Sequence, residues 1–567
     1  MRLRASDQPI LSSQVAGLLL FCGLCSGLFS GGLRDAALAA PVLVCIALTA
    51  WLGPLPSGGL LRPWLLFLGW AALSLCAGPQ PLMGLATVSR WTVLVIFLCS
   101  ASSHWGEAGR RRWFWGLGLC GAVLAAAAVL VDRPGYPRVG ILPPYYNYTC
   151  FVEAALFGAA LAAALCRDGP RGPWRWAAAG LAAMALAEVV WARSRGGLLA
   201  AGTGAAVLAW RHIPRRWLGP AVLALGLACL AAMAVATRAK LDVMRDFKRP
   251  QIWRAALAVA AEHPVLGAGP GEFANAFLKH NFPAGYGTGV YRARAEHAHS
   301  EVMEALAQFG VPGTLLLLAA LWASFAPGPP ESSSWTREAG LAAASAMAAQ
   351  CLIDNMLHLP ALGLLFFSAL AVARAPEARS AAAEGPLWRG FVWAGLLSAA
   401  VAWVPGVLVE RWRAQGGTEP LLRAVRLAPA DAYLREALAW AWLAGKPARA
   451  DAAAAQLAQA ESLSPYNAVY PAEGARLEKL QGDWPRVLER AQRAVELEPD
   501  CLGARLLRAE ALLLLDRRGE ARAELSEIGR RSAALGGQLN TGTGYEGFIL
   551  RFDQVLYERL ERAVRSG

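Results

Sequence analysis

Long runs of apolar residues alternate with short polar segments along about the first 410 positions of the chain. A helix that crosses the ~30 Å hydrocarbon core of a bilayer needs about 20 mostly apolar residues. The runs lie near residues 11–30, 36–53, 60–77, 83–101, 113–131, 149–166, 174–191, 196–212, 217–236, 301–324, 338–355, 360–374 and 389–409. The pattern therefore predicts an all-α, polytopic membrane helix bundle of about 12–13 spans.

The polar segments between these runs predict how the bundle is oriented. Arginines fall in alternate loops, as expected of cytoplasmic loops in membrane proteins. They are Arg2 and Arg4, Arg110–Arg112, Arg167, Arg171 and Arg175, Arg211, Arg215 and Arg216, and Arg374, Arg379 and Arg389. We therefore predict a cytoplasmic N-terminus and, with an odd number of spans, a C-terminal region on the opposite side.

Composition supports this interpretation. Hydrophobic residues make up 56% of the chain and charged residues only 17%, which is less charge than soluble proteins carry. The net charge of +13 follows from the loop arginines, so we do not expect nucleic-acid binding.

The opening MRLRASDQ and its apolar run resemble a signal peptide, but no A-x-A-like site closes the run, and we read it as the first span. Cys22 and Cys25 lie within that run, where membrane packing is favoured over a redox or zinc site.

Two outer segments differ from short connections. Residues 132–148 are rich in proline and aromatic residues, and Tyr145, Tyr146 and Asn147 are expected to form an aromatic belt, or to stack on sugar or line a lipid entrance. Residues from about 237 to 300 form the longest polar stretch of the membrane half, without an obvious hydrophobic core of their own. A loop of this length is typical of a functional segment.

Beyond Arg411 the chain changes to an Ala/Leu/Arg/Glu-rich helical pattern. Pro429, Pro465 and Pro499 recur 36 and 34 residues apart, each before an apolar-periodic segment. This spacing resembles tetratricopeptide repeats. We predict three regions: a membrane domain at 1–413, repeats at 414–535, and a capping helix and tail at 536–567, with the helix at about 546–565.

Three short motifs in the membrane half, taken together, indicate a function. His299-Ser300 is followed by nine residues and then Gly310-x2-Gly313, Ser194-Arg195-Gly196 stands at the outer end of a predicted span, and Arg249 precedes Trp253 by four positions. In combination they resemble the O-antigen ligase family, which includes O-antigen polymerases and protein O-oligosaccharyltransferases. The resemblance covers roughly residues 60–375. The glycines of GAGPGEF alone are weak evidence for phosphate binding, and no predicted strand precedes them.

The resemblance implies a metal-independent membrane glycosyltransferase without a cofactor. Such an enzyme moves a glycan from a polyprenyl (undecaprenyl) diphosphate carrier to an acceptor hydroxyl on a lipid core, a growing polysaccharide or a protein. The expected place is the periplasmic face of a bacterial inner membrane. Arg195 and Arg249 are then expected to bind the diphosphate, because the planar guanidinium suits phosphate oxygens. His299 is the expected general base, because histidine titrates near neutral pH.

Each assignment has a structural alternative. Arg195 would otherwise be an interfacial anchor and Arg249 a solvated loop charge. His297 is expected to be structural or a substrate contact, and a metal site built on His297 and His299 lacks further ligands nearby in the sequence. Asp354 and His358 are expected to end a helix or fix the loop, with a part in the active site as the alternative. Further basic residues would attract the diphosphate or sugar acids, or are simply solvated: Arg193, Lys279, Arg292 and Arg294.

Two other functions remain open at this stage. A transporter or flippase for lipid-linked glycans would carry ionisable residues deep in its spans, and Arg90 and Glu188 lie within apolar runs, although no inverted repeat is visible. A membrane scaffold without catalysis, presenting the repeats, is the other alternative. The repeats themselves favour a protein acceptor or a protein partner, because such arrays commonly present a concave peptide-binding face.

Overall fold

The computed structural model describes residues 58–131, 146–192, 194–212, 214, 216, 249–284, 291–292, 294–325, 334–374, 385–445, 448–541 and 544–565. The predicted spans at 11–30, 36–53 and 217–236 lie outside these residues. So do Tyr145 and Arg193, and the side chains of Tyr146, Asn147 and Arg292.

The described part of the membrane half is built almost entirely of helices. They are α1 (Gly58–Ser74), α2 (Pro81–His104), α3 (Glu107–Val131), α4 (Tyr146–Leu165), α5 (Pro173–Trp191), α6 (Arg195–His212), α7 (Arg249–Glu262), α8 (Phe273–Phe277), α9 (Glu301–Phe325), α10 (Trp335–Cys351), α11 (Pro360–Ala373) and α12 (Gly385–Gln415). Each of the ten predicted spans that fall in the described part contains a helix. Pro81, Pro173 and Pro360 begin three of them, where the missing N–H of proline is not needed.

Three helices in the described part are long and apolar enough to cross a membrane by length and composition. They comprise Met83–Ser103 in α2, Glu301–Phe325, and Trp388–Gln415 in α12, and shorter apolar helices lie at Gly59–Ser74, Thr149–Leu165 and Ala361–Ala373. Their large aromatic side chains, among them Trp64, Phe67 and Phe367, are fully buried against one another. These helices form one apolar bundle.

Within the described residues, the predicted cytoplasmic arginines and the motif residues lie at opposite ends of this bundle; Arg2, Arg4, Arg215 and Arg379 lie outside them. At one end Arg110 donates to the carbonyl of Arg374 (2.7 Å), and Arg211 pairs with Glu338. At the other end α6 begins with Arg195 and α9 begins just after His299. The bundle thus separates the two groups of charged residues by the length of its helices.

Both glycines of the Gly310-x2-Gly313 motif are required by close packing. Gly310 has φ +68° and kinks α9, and a Cβ there would lie 2.2 Å from the carbonyl oxygen of Val265. A Cβ on Gly313 would lie 2.6 Å from Trp70 on α1. The kink lets Val311 donate its N–H to the carbonyl of Pro264 (2.9 Å). The motif therefore seats the turn after α7 directly on the backbone of α9.

The long polar segment has a small core of its own, contrary to the expectation from sequence. Ile252, Ala256 and Val259 lie on one face of α7 and pack against Phe273 and Phe277. The face is made largely of alanine, so its periodicity is weak in the sequence. A two-residue antiparallel pair, Pro283–Ala284 with Tyr291–Arg292, follows a 3₁₀ turn at Leu278–His280.

The C-terminal region is a row of helices, most of which pack on the next helix in the chain. They are α13 (Thr418–Leu427), α14 (Ala432–Ala444), α15 (Ala450–Leu463), α16 (Val469–Gln481), α17 (Trp484–Leu497), α18 (Leu502–Leu514), α19 (Arg518–Leu535), α20 (Gly544–Ile549) and α21 (Gln554–Arg565), with a 3₁₀ turn at Gly536–Gln538. Pro429, Pro465 and Pro499 stand in the turns before α14, α16 and α18, so helix pairs recur at the predicted spacing. Their assignment as tetratricopeptide repeats stays a prediction.

The helix predicted at about 546–565 is in fact two helices, α20 and α21. Asn540 binds the intervening residues: its backbone N–H donates to Leu550 (3.0 Å), and its side chain accepts from the N–H of Phe552 (2.9 Å). These tertiary hydrogen bonds replace the bonds that would continue the helix. Apolar periodicity alone does not show them.

Candidate functional site

His299 occupies a turn immediately before α9 in a conformation that is uncommon for residues other than glycine. Its φ is +51°, in the left-handed region. Its Nδ1 lies 3.2 Å from Oδ1 of Asp354, and its carbonyl accepts a hydrogen bond from Nε1 of Trp253 (3.3 Å). A carboxylate only accepts hydrogen bonds, so Asp354 fixes the proton on Nδ1 and leaves the lone pair on Nε2. The side chain is 44% exposed.

Arg249 contacts the same carboxylate as His299. Its guanidinium donates to Oδ2 of Asp354 (3.1 Å) and to the carbonyl of Ile353. Arg249 and Trp253 are one helical turn apart on α7, so the four-residue spacing places both side chains on one face. Arg249 donates a hydrogen bond to Asp354, and Trp253 donates one to the carbonyl of His299. The Arg-x3-Trp motif thus holds α7 against the histidine.

The turn after α10 fixes the start of α9. Asn355 is buried and its side-chain oxygen accepts the N–H of Ser300 (2.7 Å), while Glu301 accepts the N–H of Leu357 (2.7 Å). With Asp354 on His299, three successive residues of the HSE segment are tied to this turn. The turn therefore both ends α10 and orders the histidine, two roles that were alternatives at the sequence level.

Arg195 begins α6 beside this turn. The hydroxyl of Ser194 accepts the N–H of Gly197 (3.1 Å) and caps the helix. A Cβ on Gly196 would lie 3.5 Å from Ile353, next to Asp354, so the first turn of α6 approaches the turn that carries the carboxylate. The N-terminus of a helix carries partial positive charge and favours anions. Arg195, Arg249 and His299 are thus arranged around a single turn.

His297 is engaged in a different pair from His299. Its Nδ1 lies 2.9 Å from Oε1 of Glu304, and its ring stacks on that of His358 with centroids 4.1 Å apart. Burial lowers the pKa of His297, but the hydrogen bond and negative charge of Glu304, with Glu301, outweigh burial and raise it. Glu304 also accepts the N–H of Ala298 (2.8 Å), so it shapes the turn that holds His299.

The remaining predicted substrate contacts have partners away from Asp354. Lys279 pairs with Glu262 (2.7 Å), and the guanidinium of Arg294 lies 5.6 Å from the ring centroid of Tyr545 in α20. The backbone of Arg292 lies in the short strand pair. Among the described residues no group of three or more His, Cys, Asp and Glu side chains is arranged to hold a metal ion.

Sequence reasoning gave Asp354 a minor place and did not identify Glu304 or Asn355. Asp354 stands 105 residues from Arg249 and 55 from His299, so no local spacing links them. For Glu304 a signal existed: a carboxylate in the first turn of a helix often reaches back to the N–H groups before it. That signal would have marked the residue as a brace for the histidine turn.

A family comparison bears on the resemblance drawn from the motifs. Residues 179–318 match the model of the O-antigen ligase family, and the matched range includes the Ser194-Arg195-Gly196, Arg249-x3-Trp253 and His299 motifs. The resemblance predicted from those motifs is confirmed for this part of the chain. No curated protein matches the sequence.

Proposed function

Since residues 179–318 carry an O-antigen ligase domain, we propose that this integral membrane protein transfers a glycan from a polyprenyl (undecaprenyl) diphosphate to an acceptor hydroxyl. The reaction takes place at the periplasmic face of a bacterial inner membrane. The observation that carries the proposal is the Asp354 carboxylate, which contacts both the histidine and one of the two arginines assigned to the diphosphate.

In the proposed reaction His299 acts as the general base. Its Nε2 takes the proton of the acceptor hydroxyl as that oxygen attacks the anomeric carbon of the donor glycan. The bond between the anomeric carbon and the diphosphate oxygen breaks, and the polyprenyl diphosphate leaves with the bonding electron pair. Asp354 stabilises the imidazolium that forms, because its carboxylate accepts the hydrogen bond from Nδ1.

The two arginines stabilise the negative charge of the leaving diphosphate. A guanidinium has five N–H donors, and Arg249 uses two of them in hydrogen bonds to Ile353 and Asp354. The others are available to bind phosphate oxygens. Its two bonds orient it before the donor binds, which lowers the entropy cost of binding. Arg195 adds a second cation together with the N-terminus of α6. In this scheme no metal ion is needed to neutralise the diphosphate.

Contacts between distant parts of the chain support the predicted side of the membrane. Asn275, in the long polar segment, hydrogen-bonds Leu463 and Ser464 of the C-terminal region, so the two lie on one side of the bilayer. That side is the end of the bundle opposite Arg110 and Arg374. A periplasmic segment then implies a periplasmic C-terminal region. A reporter fused after Gly567 is expected to read as periplasmic, and a cytoplasmic signal would contradict the orientation.

The decisive experiment is a transfer assay with purified protein and a polyprenyl-diphosphate oligosaccharide. Lipid-core, glycan and peptide acceptors are offered in turn, with and without a metal chelator. We expect a product with one acceptor class, unaffected by the chelator, and a loss of product in Arg195→Ala. Arg254→Ala, an exposed arginine on α7, is the control and should remain active. A folded wild-type protein that forms product with none of the acceptors would contradict the proposal.

The acceptor class decides among ligation to a lipid core, polymerisation and transfer to protein. The predicted repeats favour a protein acceptor or partner, by analogy with peptide-binding arrays. The transporter alternative was based on Arg90 and Glu188, which are ionisable residues in the apolar helices. Arg90, however, donates a hydrogen bond to the carbonyl of His358 (3.0 Å), beside the site described above. Flipping of the donor across vesicles without glycan transfer would instead favour transport.

A further inference from the structure

We propose that the C-terminal helical region is a brace that docks on the long polar segment and keeps the His299 turn ordered. The segment in question, the docking arm, comprises the described residues 273–284 and 294–296. The proposal concerns positioning, and only its activity measurement rests on the function proposed above.

The main contact is a clasp around Asn275. Its amide nitrogen donates to the carbonyl of Leu463 (3.1 Å), and its amide oxygen accepts from the hydroxyl of Ser464 (2.7 Å). Both functional ends of the side chain are therefore used on the turn between α15 and α16. Ser464 is buried, so water does not replace these bonds easily. A pair of hydrogen bonds from one amide fixes orientation as well as distance.

Two cations of the docking arm add contacts with aromatic rings. Nζ of Lys279 lies 5.9 Å from the ring centroid of Tyr466, in the same α15–α16 turn. Arg294, near the other end of the arm, lies over Tyr545 at 5.6 Å. Both distances are in the range of cation–π attraction. The arm is thus held near its beginning and near its end.

The ring that receives Arg294 is itself fixed by the helical region. Tyr545 packs with Phe548 against Ala432 of α14 and Val469 and Tyr470 of α16. Helix α20 therefore fills the surface formed by α14 and α16 with the chain's own residues. This surface presents a rigid aromatic side chain to the docking arm.

A chain of hydrogen bonds joins Gly271, two residues before the arm, to the turn that carries His299. Next to the arm, the N–H of Gly271 donates to Gln308 (3.0 Å), and Gln308 donates to Glu304 (3.0 Å). Glu304 accepts the N–H of Ala298, the neighbour of His299. Movement at the clasp would therefore act on groups that hold the histidine turn.

The test is hydrogen exchange of the full-length protein in detergent micelles, measured for amides of residues 273–284 and 294–296. Asn275→Ala removes both bonds of the clasp, and Ser464→Ala removes one. We expect exchange about tenfold faster in Asn275→Ala, a smaller increase in Ser464→Ala, and no further increase in the double variant. Ser464→Thr keeps the hydroxyl and should restore protection. Ser462→Ala is the matched control, because its hydroxyl bonds only Gln459 within α15.

Glycan transfer by the same variants provides the second measurement. We expect Asn275→Ala to lower turnover about two- to thirtyfold, with Ser462→Ala unchanged. Exchange that is unchanged in Asn275→Ala, or equally raised in Ser462→Ala, would overturn the brace. Raised exchange in a protein whose wild type transfers no glycan would leave the brace standing and overturn the proposed function, so the two failures are distinguishable.

Discussion

The His299 turn and the docking arm both carry basic residues at the same end of the bundle, but they hold them differently. Around His299, buried or half-buried groups from α7, α9 and the turn after α10 bind each other through carboxylate and amide side chains. In the docking arm, Lys279 is exposed and faces Glu262 and Tyr466. The basic residues of the turn and of the arm cannot be told apart by residue type or by position in the loop. They differ in the structural element that each side chain faces.

This difference predicts a graded response to substitution. Groups that are fixed by several buried partners act on the reacting atoms from a set geometry, so their loss is costly. Exposed cations attract a charged donor over a distance that salt screens. We therefore expect large effects at the turn and small effects at the exposed cations of the arm.

The largest effect is expected for His299→Ala. General-base assistance contributes about 10²–10⁴-fold, and turnover should fall by that factor. The measurement is the initial rate of glycan transfer at saturating donor. His263→Ala removes an exposed histidine of the same segment and serves as the control. Equal loss in both variants would show that the effect is not specific to the base.

Asp354→Asn should have the next largest effect. The substitution removes the charge that orients His299 and Arg249 together, and hydrogen bonds to charged groups are worth about 1.5–3 kcal/mol, so transfer should fall about 10- to 100-fold. Measuring kcat together with the amount of folded protein distinguishes a positioning role from a purely structural one. Loss of a positioning group should lower kcat in protein that is still folded. A rate like that of the wild type would show that Asp354 does not join the His299 and Arg249 motifs functionally.

His297 should affect stability in a pH-dependent way. The pKa of His297 is raised in the folded protein, so its ion pair with Glu304 stabilises fully below the ordinary histidine pKa of about 6.5, and this contribution is lost as pH rises through the folded-state value. We expect His297→Asn to lower Tm by about 2 °C at pH 6 and by less at pH 9. A difference in Tm that grows with pH would contradict this sign.

The smallest effect is expected for Lys279→Ala. The side chain is 41% exposed, and exposed ion pairs contribute little, so transfer should fall no more than about fivefold. The difference from wild type should shrink in ~1 M salt, where charges are screened within about 3 Å. A loss as large as that of Asp354→Asn would mean that the docking arm and the turn are not distinct after all.

The apolar runs predicted the helices of the bundle well because length and hydrophobicity are local properties. The runs at 60–77, 83–101 and 301–324 each contain a helix close to the predicted bounds. The same reasoning failed where a tertiary partner decides the outcome. The final helix is divided because Asn540 binds Leu550 and Phe552, and α7 gains a core from Phe273 and Phe277.

By itself the sequence determined a helical membrane protein, the ends of the bundle at which arginines collect, and the three motifs that indicate a glycan transferase. Only the tertiary structure decided that Asp354 joins His299 to Arg249, that Lys279 and Arg294 face the C-terminal region, and that Asn275 clasps Ser464. The physical reason is that hydropathy and helical periodicity act over about one to six turns of a helix. Hydrogen bonds between residues 55 to 189 positions apart depend on how whole helices pack.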